Sequence, residues 1–515
     1  MKKKILLMIS FVGLTSAWQL SQAQVAKADD NKVKVVTTFY PVYEFTKGVV
    51  GNEGDVSMLV KAGTEPHDFE PSTKDVKRIQ DAGAFVYMDD NMETWVSKLS
   101  KSKKSKGLTF VKATGDMVLN GSAEVEGDEH EHHEHGDHHE EGEHHHHKYD
   151  PHVWLSPYRS VKLVENIRDS LAKKYPSKSE MFKTNAQKYI EKLKELDKEY
   201  ADTLQNAKQK SFVTQHAAFG YLALDYGLNQ VPISGVTPDN EPSPKRLAQL
   251  SKYIKKYDIK YIYFEENASS KVAKSLAKEA KVKTVVLSPL ESLTAKEIKK
   301  GDNYFSVMRE NLKALQLTTD RGGKEIKPES DQTKTVYNGY FKDKNVKDRK
   351  LKDWSGNWQS VYPFLEDGTL DQVMEYKAKK SNGKMSAKEY KDYYRTGYKT
   401  DVDHIKINGK KKTITYERKG EKKTFTYKYS GKKILNYKKG NRGVRYMFEA
   451  KEKDAGEFKY IQFSDHAIAP GKAEHFHIFW GSEGHDKLLT EMEHWPTYYH
   501  SDLSGREIAQ EINAH

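Results

Sequence analysis

The fold is decided by one uninterrupted stretch of the chain, SEMFKTNAQKYIEKLKELDKEYADTLQNA (179–207). It contains no glycine or proline, and Tyr189, Leu193, Leu196 and Tyr200 recur at the spacing of an amphipathic helix. At ~1.5 Å per residue such a helix spans about 40 Å, which is the width of a domain. We therefore predict one long rigid helix that divides the surrounding sequence into two halves.

On both sides of this helix, short apolar runs alternate with helical patterns. The runs that predict strands are 33–39, 84–88, 109–111, 211–214, 261–264 and 284–287. Short buried strands separated by helices indicate parallel βαβ units. The fold predicted for residues 30–318 is therefore two α/β lobes joined by a long rigid helix.

The character of the sequence changes after a polar segment at 319–332, which we predict to be a linker. Residues 333–515 are rich in aromatics and contain short alternating runs such as 412–416, 424–429 and 459–463. We expect turns between these runs at Gly409, Gly420, Gly431, Gly440 and Gly443. This pattern predicts an antiparallel β-barrel or sandwich.

The composition excludes several classes of chemistry. The 515 residues include no cysteine, which removes disulfides, thiolate catalysis and cysteine-based metal sites. Soft-metal chemistry must then use histidine, of which there are 21. The formal net charge is +12, but no nucleic-acid recognition motif accompanies it, so we predict no nucleic-acid partner.

The N-terminus carries a targeting pattern. Lys2, Lys3 and Lys4 precede an apolar stretch at 5–18, and Ala26-Lys27-Ala28 offers small residues for cleavage. We interpret residues 1–28 as a secretory signal peptide, with an uncleaved anchor as the alternative. The predicted location is extracellular or at the cell surface and, because there is no lipobox cysteine, without a lipid anchor.

One segment is of low complexity. Residues 124–147 read EVEGDEHEHHEHGDHHEEGEHHHH and hold ten of the 21 histidines. A segment with almost no apolar residue cannot form a core. We therefore predict a His-rich loop.

Four candidate metal ligands lie where predicted strands give way to loops, namely His67, His152, His216 and Glu291. In open α/β folds this edge of the sheet is where ligands bind. Two of the residues precede the long helix and two follow it, so they can meet in the cleft between the lobes. Three imidazoles and one carboxylate suit zinc, whereas manganese favours more oxygen ligands.

A second candidate cluster lies in the C-terminal part. His475 and His477 are two residues apart on a predicted strand and therefore project to the same side. His466 ends the preceding aromatic strand and could return beside them. Three imidazoles with one open position suit zinc. The alternative is an aromatic hairpin whose histidines only form hydrogen bonds.

Residues 33–315 resemble the zinc-binding solute receptors of ABC importers, the ZnuA type of cluster A-I. The segments that carry the resemblance are TTFYPVYEF (37–45), AGTEPHDFEPS (62–72), DPHVWLSP (150–157), TQHAAFGY (214–221), GVTPDNEPS (235–243) and SPLESL (288–293). The resemblance implies two lobes joined by a rigid helix and a membrane permease as partner. It also implies that His67, His152, His216 and Glu291 are the zinc ligands.

Residues 333–515 resemble the ZinT family of zinc-binding proteins, which have a calycin-like β-barrel. The matching segments are WSGNWQSVYPFLEDGTLDQV (354–373), YYRTGYKTDV (393–402), GNRGVRYMFEA (440–450), QFSDHAIAPGKAEHFHIFWG (462–481) and HWPTYY (494–499). His466, His475 and His477 fall on the histidine positions of that family. A receptor fused to such a domain is the AdcA-type architecture.

These observations predict a monomeric zinc receptor with two Zn²⁺ sites that delivers zinc to an ABC permease. The alternatives are a secreted zinc buffer or adhesin without a transport role, and a zinc hydrolase. Catalytic zinc usually keeps a position for water, which four protein ligands would fill, and the sequence contains no H-E-x-x-H motif. We therefore predict that the protein is not an enzyme.

Overall fold

The computed structural model describes residues 32–102, 107–121, 149–233, 244–265, 271–324 and 334–514. The predicted signal peptide (1–28), the His-rich loop (124–147) and most of the predicted linker (319–332) lie outside the described residues. Within the described ranges, every helix is too short or too polar to span a lipid bilayer.

The first lobe is a parallel four-stranded sheet with the strand order β2-β1-β3-β4. Its strands are β1 (Val33–Thr37), β2 (Gly54–Met58), β3 (Ala84–Tyr87) and β4 (Thr109–Lys112). Its helices are α1 (Tyr40–Val50), α2 (Thr73–Gln80), α3 (Val96–Ser100) and α4 (Pro157–Lys174). Strand β3 is buried at every position, as expected for a parallel strand whose sheet is covered on both faces.

The long helix predicted from the sequence is α5 (Ser179–Leu204). Its apolar stripe contacts both lobes. Tyr189 packs edge-on against Phe45 of α1 with ring centroids 6.0 Å apart, and the Tyr200 hydroxyl donates to the Met308 carbonyl at 2.5 Å. Each large apolar side chain buried in this way contributes ~1.5–3 kcal/mol, which fixes the helix against both halves.

The second lobe repeats the architecture of the first, with the strand order β6-β5-β7-β8 and parallel pairing throughout. Its strands are β5 (Ser211–Thr214), β6 (Asn229–Pro232), β7 (Tyr261–Phe264) and β8 (Lys283–Val286). Its helices are α6 (Gly220–Asp225), α7 (Pro244–Tyr257), α8 (Lys271–Ala280), α9 (Ala295–Lys300) and α10 (Tyr304–Thr319). The predicted pair of α/β lobes is confirmed.

The C-terminal part forms a closed eight-stranded antiparallel barrel. Its strands are β9 (Gly356–Ser360), β10 (His404–Asn408), β11 (Thr413–Arg418), β12 (Glu421–Asn436), β13 (Arg442–Ala450), β14 (Tyr460–Ser464), β15 (His475–Gly481) and β16 (Thr497–His500). Strand β9 pairs with both β10 and β16 and so closes the ring. Closure removes the unpaired edges that an open sheet would expose, and it decides for a barrel over a sandwich.

Helices surround the barrel and connect its strands. They are α11 (Tyr362–Glu366), α12 (Asp371–Lys380), α13 (Ala387–Tyr398), α14 (His485–Leu489) and α15 (Gly505–Ala514). The barrel core contains Trp354, stacked on Phe463 with ring centroids 4.8 Å apart.

Two of the expected glycine turns are not turns. Gly431 lies inside β12, where φ is +118° and the pairing register with β13 shifts between Tyr429 and Gly431. Such an irregularity bends a long strand, and glycine accepts the positive φ without the clash of a Cβ. Gly443 lies inside β13. The sequence prediction therefore divided β12 where the chain continues as one strand.

The barrel domain docks on residues 116–121 of the first lobe through α12 and α15. The Gln510 amide accepts from the Leu119 backbone N–H at 2.8 Å and donates to its carbonyl at 2.7 Å. The Tyr376 hydroxyl donates to the Val118 carbonyl at 2.7 Å. One cluster of buried apolar side chains continues from the first lobe to Ile508 of α15, so the two parts share a core.

Candidate metal centres

The first candidate centre lies in the cleft between the lobes. His67 follows β2, His152 precedes the turn that leads into α4, His216 follows β5, and Glu291 follows β8. The structure brings all four together, with one ligand atom from each within 4.8 Å of the others. The cluster arises because the carboxyl ends of the strands in both sheets face the same cleft.

The spacing of these ligand atoms fits a tetrahedral zinc ion. His67 Nε2 lies 3.2 Å from His152 Nε2 and 3.3 Å from Glu291 Oε1. The Nε2 atoms of His152 and His216 lie 3.4 and 3.7 Å from the same oxygen. Ligands ~2.0–2.1 Å from a tetrahedral zinc are themselves about 3.3–3.4 Å apart. The four side chains are at most 5% exposed, so water is largely excluded.

Two carboxylates outside the cluster orient its imidazoles. His152 Nδ1 donates to Asp150 Oδ1 at 2.8 Å, and His216 Nδ1 donates to the Glu265 carboxylate. Each bond leaves Nε2 directed at the centre, which is the arrangement that metal-binding histidines usually adopt. The sequence analysis missed both acids. A signal for Glu265 was present, since it directly follows β7, which lies between β5 and β8 in the sheet.

The histidines of this centre differ in protonation. Burial lowers the pKa of His67 to about 4. Burial acts in the same direction on His216, but the Glu265 carboxylate outweighs it and raises the pKa well above the ordinary value. For His152, the bond to Asp150 likewise outweighs burial and raises the pKa. Zinc must therefore displace protons to bind here at neutral pH.

The pKa values of two carboxyl groups at this centre, Glu291 and Glu65, shift in opposite directions. Burial alone would raise the pKa of Glu291, but hydrogen bonds from the three histidines hold it well below its usual range. Burial and the neighbouring Glu291 raise the pKa of Glu65 to about 9. Glu65 is therefore protonated at neutral pH, and Glu291 supplies the negative charge.

The second candidate centre lies on the outer face of the barrel. His475 and His477 share one side of β15, while Phe476 and Ile478 between and beside them are fully buried in the barrel core. His466 follows β14 and returns beside the pair, so that one nitrogen from each ring lies within 4.8 Å of the others. His466 Nε2 and His477 Nε2 are 3.3 Å apart.

Hydrogen bonds at Nδ1 orient two of these rings. His477 Nδ1 donates to the Thr497 hydroxyl at 2.7 Å, and His466 Nδ1 donates to the Tyr337 carbonyl at 3.0 Å. The His466 ring also stacks on the Tyr337 ring, with centroids 4.3 Å apart. Both Nε2 atoms consequently point into the cluster.

The turn that presents His466 is fixed by a buried ion pair. His466 has a φ of +64°, which is uncommon for a residue with a Cβ and is maintained by the surroundings. The preceding residue, Asp465, accepts from Arg349 Nη1 through both carboxylate oxygens at 2.5 and 2.7 Å. Arg349 was missed because it is remote in the sequence and belongs to no histidine pattern.

The electrostatics of this centre differ from those of the cleft. Burial lowers the pKa of His477 well below its ordinary value, and His466, His475 and Arg445 add to the effect. His477 is therefore neutral at physiological pH. The ligand atoms of this cluster are all imidazole nitrogens.

Comparison with known families decides the identity of both parts. Residues 35–317 match the family model of the periplasmic zinc-uptake complex component A, ZnuA. Residues 332–515 match the model of ZinT (YodA), described as periplasmic lipocalin-like zinc recruitment. The chain belongs to the AdcA family.

Full-length relatives agree with this assignment. The zinc-binding protein AdcA of Streptococcus pyogenes is 73% identical over 521 residues, covering 100% of both chains. The zinc-binding lipoprotein AdcA of Streptococcus pneumoniae is 60% identical over 516 residues, again covering 100% of both. The crystal structure of Zn(II)-bound AdcA from S. pneumoniae covers 94% of this chain and 100% of its own, with a TM-score of 0.82 and 60% identity. The AdcA fold, two lobes and a barrel, is thus shown for this chain.

The predicted localisation without a lipid anchor is wrong as stated. It rested on the absence of cysteine from the chain. Relatives 60% identical over the full length of both chains are named zinc-binding lipoproteins. The names of these relatives contradict the prediction of a family member without a lipid anchor.

Proposed function

We propose that this protein captures Zn²⁺ and delivers it to an ABC permease for import. The observation that carries the proposal is the set of four buried ligand atoms at zinc spacing in the cleft. His67 and His152 come from the first lobe, and His216 and Glu291 from the second. A zinc ion bound by all four draws the lobes together, and the exclusion of water strengthens each contact to the ion.

The proposed ligands form two sites. In the cleft they are His67, His152, His216 and Glu291, supported by the outer carboxylates that orient two of the imidazoles. On the barrel they are His466, His475 and His477, which leave one position of a tetrahedral zinc open. The barrel site gathers zinc and supplies it to the cleft.

The proposed domain division is a signal peptide at 1–28, a zinc-binding solute receptor at 30–318, a linker at 319–332 and a ZinT-like domain at 333–515. The two family matches support it, since they meet between residues 317 and 332. The protein acts as a monomer, because each proposed zinc site is complete within one chain. Its partners are zinc and the permease, without nucleic acid.

The proposed role excludes catalysis. Four protein ligands complete a tetrahedral zinc in the cleft, where a hydrolase would keep a position for water. The barrel site has an open position, and Glu474 would be its candidate general base. Glu474 lies in the bend just before β15 begins at His475, and the sequence has no H-E-x-x-H motif.

Zinc titration of the full chain tests the two sites. We expect two Zn²⁺ per chain, and one for His216→Ala and for the triple variant H466A/H475A/H477A. The Ala substitution of exposed His404 is the matched control and should leave two. Two zinc ions bound by the triple variant would contradict the barrel ligands.

Zinc uptake in cells tests the transport role. A strain lacking the protein should accumulate less zinc and recover with the intact chain. The triple barrel variant should restore growth only partly under zinc limitation while its cleft affinity is intact. Normal zinc uptake in the deletion strain would instead favour a zinc buffer or adhesin.

A further inference from the structure

A cavity of about 320 Å³ lies beside the barrel centre. Its lining includes His466 and His477 together with the apolar side chains of Val336, Phe341 and Trp495. Its volume reaches the range of ~300–1,000 Å³ that is usual for small-molecule sites. Two of the three proposed barrel ligands therefore face this cavity.

A buried cation also faces this cavity. Arg445 lines it and is only 3% exposed. Its Nη2 donates to the Glu491 carbonyl at 3.0 Å, and Tyr437 acts on the guanidinium from the same cavity wall. Among the described residues, Nε and Nη1 make no further hydrogen bond of good geometry. The guanidinium stacks 3.2 Å from the centroid of the Phe479 ring. Burial lowers the pKa of Arg445 to about 10, so the group remains charged at neutral pH.

One acid, Glu491, acts electrostatically on Arg445 and is also hydrogen-bonded within its own turn. The side-chain oxygen Oε1 of Glu491 accepts from the backbone N–H groups of Glu493 and His494 at 2.9 and 3.0 Å. A second arginine that lines the cavity, Arg442, pairs with Asp343. A buried charge without a full set of partners is costly, so the Arg445 position favours an anion in the cavity.

The strand register places Arg445 close to the zinc ligands. Tyr446 is paired with Phe463, and Ser464 is paired with His477. One step further along the first pairing, Arg445 stands opposite Ser464, so the three residues form a row across β13, β14 and β15. Neighbouring strands are ~4.8 Å apart, which puts the backbones of Arg445 and His477 about 10 Å apart. Their side chains meet over the same cavity.

Charge and shape together define the occupant. Three neutral imidazoles would leave a bound zinc with its full +2 charge, and Arg445 adds another positive charge. We propose that the cavity binds a small organic carboxylate between the open position of the zinc and the Arg445 guanidinium, with its apolar body against Phe341 and Trp495. This inference rests on the proposed barrel zinc site.

Binding of the two ligands is then mutually favourable. The carboxylate neutralises charge at the zinc, and the zinc supplies a second point of attachment for the carboxylate. Thermodynamic linkage requires each to strengthen the other by the same factor. The barrel accordingly accepts zinc that arrives with a small carboxylate ligand.

Calorimetric titration of the zinc-loaded full chain with benzoate tests the inference. Benzamide has the same shape without the charge and is the matched ligand. We expect the unaltered chain to bind benzoate at least tenfold more tightly than benzamide. The Arg445→Gln variant should bind benzoate at least tenfold more weakly than the unaltered chain does. Arg418→Gln removes an arginine that pairs with Asp401 and Glu457 outside the cavity lining, and it should bind benzoate as the unaltered chain does.

The triple variant H466A/H475A/H477A tests the zinc dependence and keeps Arg445 in place. It should bind benzoate at least tenfold more weakly, and this comparison decides the matter if Arg445→Gln does not fold. Equal binding of benzoate and benzamide, or equal benzoate binding by the triple variant, would overturn the inference. The number of zinc ions bound per chain distinguishes failure of the barrel zinc site from failure of the carboxylate site. An unaltered chain that binds a single zinc ion refutes the barrel zinc site. A chain that binds two zinc ions but does not prefer benzoate to benzamide refutes only the carboxylate site.

Discussion

The two proposed zinc sites, one in the cleft and one on the barrel, have different surroundings. In the cleft, one carboxylate joins three imidazoles, and Asp150 and Glu265 orient two of the rings from outside. On the barrel, the three ligand atoms are imidazole nitrogens beside a cavity, and the Thr497 hydroxyl and the Tyr337 carbonyl orient two of the rings. In the proposed sites, Glu291, Asp150 and Glu265 offset the charge of a zinc ion in the cleft, whereas the barrel ligands are imidazoles.

This difference in charge should affect how tightly each site binds zinc and how fast it exchanges the ion. Three carboxylates around one buried dication give strong attraction where water is excluded. A centre with neutral ligands and an adjacent cavity has weaker attraction and an open path for a fourth ligand. The comparison predicts that the cleft binds zinc more tightly and the barrel exchanges it faster.

The largest expected effect is that of Glu291→Gln, which keeps the shape of the side chain and removes its charge. We expect the zinc affinity of the cleft to fall by more than ~100-fold, because even the loss of an outer partner costs 10–100-fold. Competition with a chelator of known affinity, in the H466A/H475A/H477A background, measures the cleft alone. The exposed Glu310 provides the matched control as Glu310→Gln. A loss below tenfold would contradict the ligand role of Glu291.

The next largest effect is the release of protons when zinc binds in the cleft. Because the pKa values of His152 and His216 are raised, both bind protons that zinc must expel, whereas the lowered pKa of His477 leaves that ring neutral. We expect up to about two protons to be released at pH 7 when the cleft binds zinc, and affinity to fall as the pH decreases from 7.5 to 5. Calorimetry in buffers of different ionisation heat measures the release. An affinity that is flat over this range would rule out histidine ligation.

A smaller effect is expected for the partners at Nδ1. Glu265→Gln should weaken cleft binding by ~10–100-fold. Thr497→Val at the barrel should weaken binding by less than about tenfold, because a neutral hydrogen bond is weaker than a charge-assisted one. Zinc competition with a chelator measures both losses, with Glu265→Gln placed in the H466A/H475A/H477A variant and Thr497→Val placed in the His216→Ala variant. A larger loss for Thr497→Val than for Glu265→Gln would reverse the proposed contrast between the two centres.

The last effect concerns stability and tests the contact between the two regions. Tyr376→Phe removes a hydroxyl that donates to the Val118 carbonyl and accepts from the buried Arg159 guanidinium. We expect a loss of ~1.5–3 kcal/mol in the free energy of unfolding, because one of the two partners is charged. Because the two parts share a core, denaturant should unfold them in one transition. Tyr393 is 53% exposed, and Tyr393→Phe is the control that should change nothing. Two separate transitions in the unaltered chain would show that the regions are independent.

Much of the architecture followed from local patterns. The period of α5 and the apolar runs of the two lobes predicted a pair of parallel sheets around one helix, because burial on both faces demands such runs. The barrel strands were less certain, since a long strand with a bulge at Gly431 contains the same glycine signal as a turn. Whether the strands close or stay open depends on the pairing of β9 with β16, which leaves no mark in either segment.

The sequence by itself determined the histidine inventory, the exclusion of cysteine chemistry and seven candidate ligands, five at predicted strand ends and two along one predicted strand. Residue type and strand period are local properties, which is why they could be read from the sequence. Tertiary structure decided which side chains surround them. Asp150 and Glu265 behind the cleft, Arg349 behind His466, and Arg445 over the cavity come from segments whose approach depends on sheet order and barrel closure. Protonation and charge balance arise from those approaches, since both depend on distance and burial rather than on order along the chain.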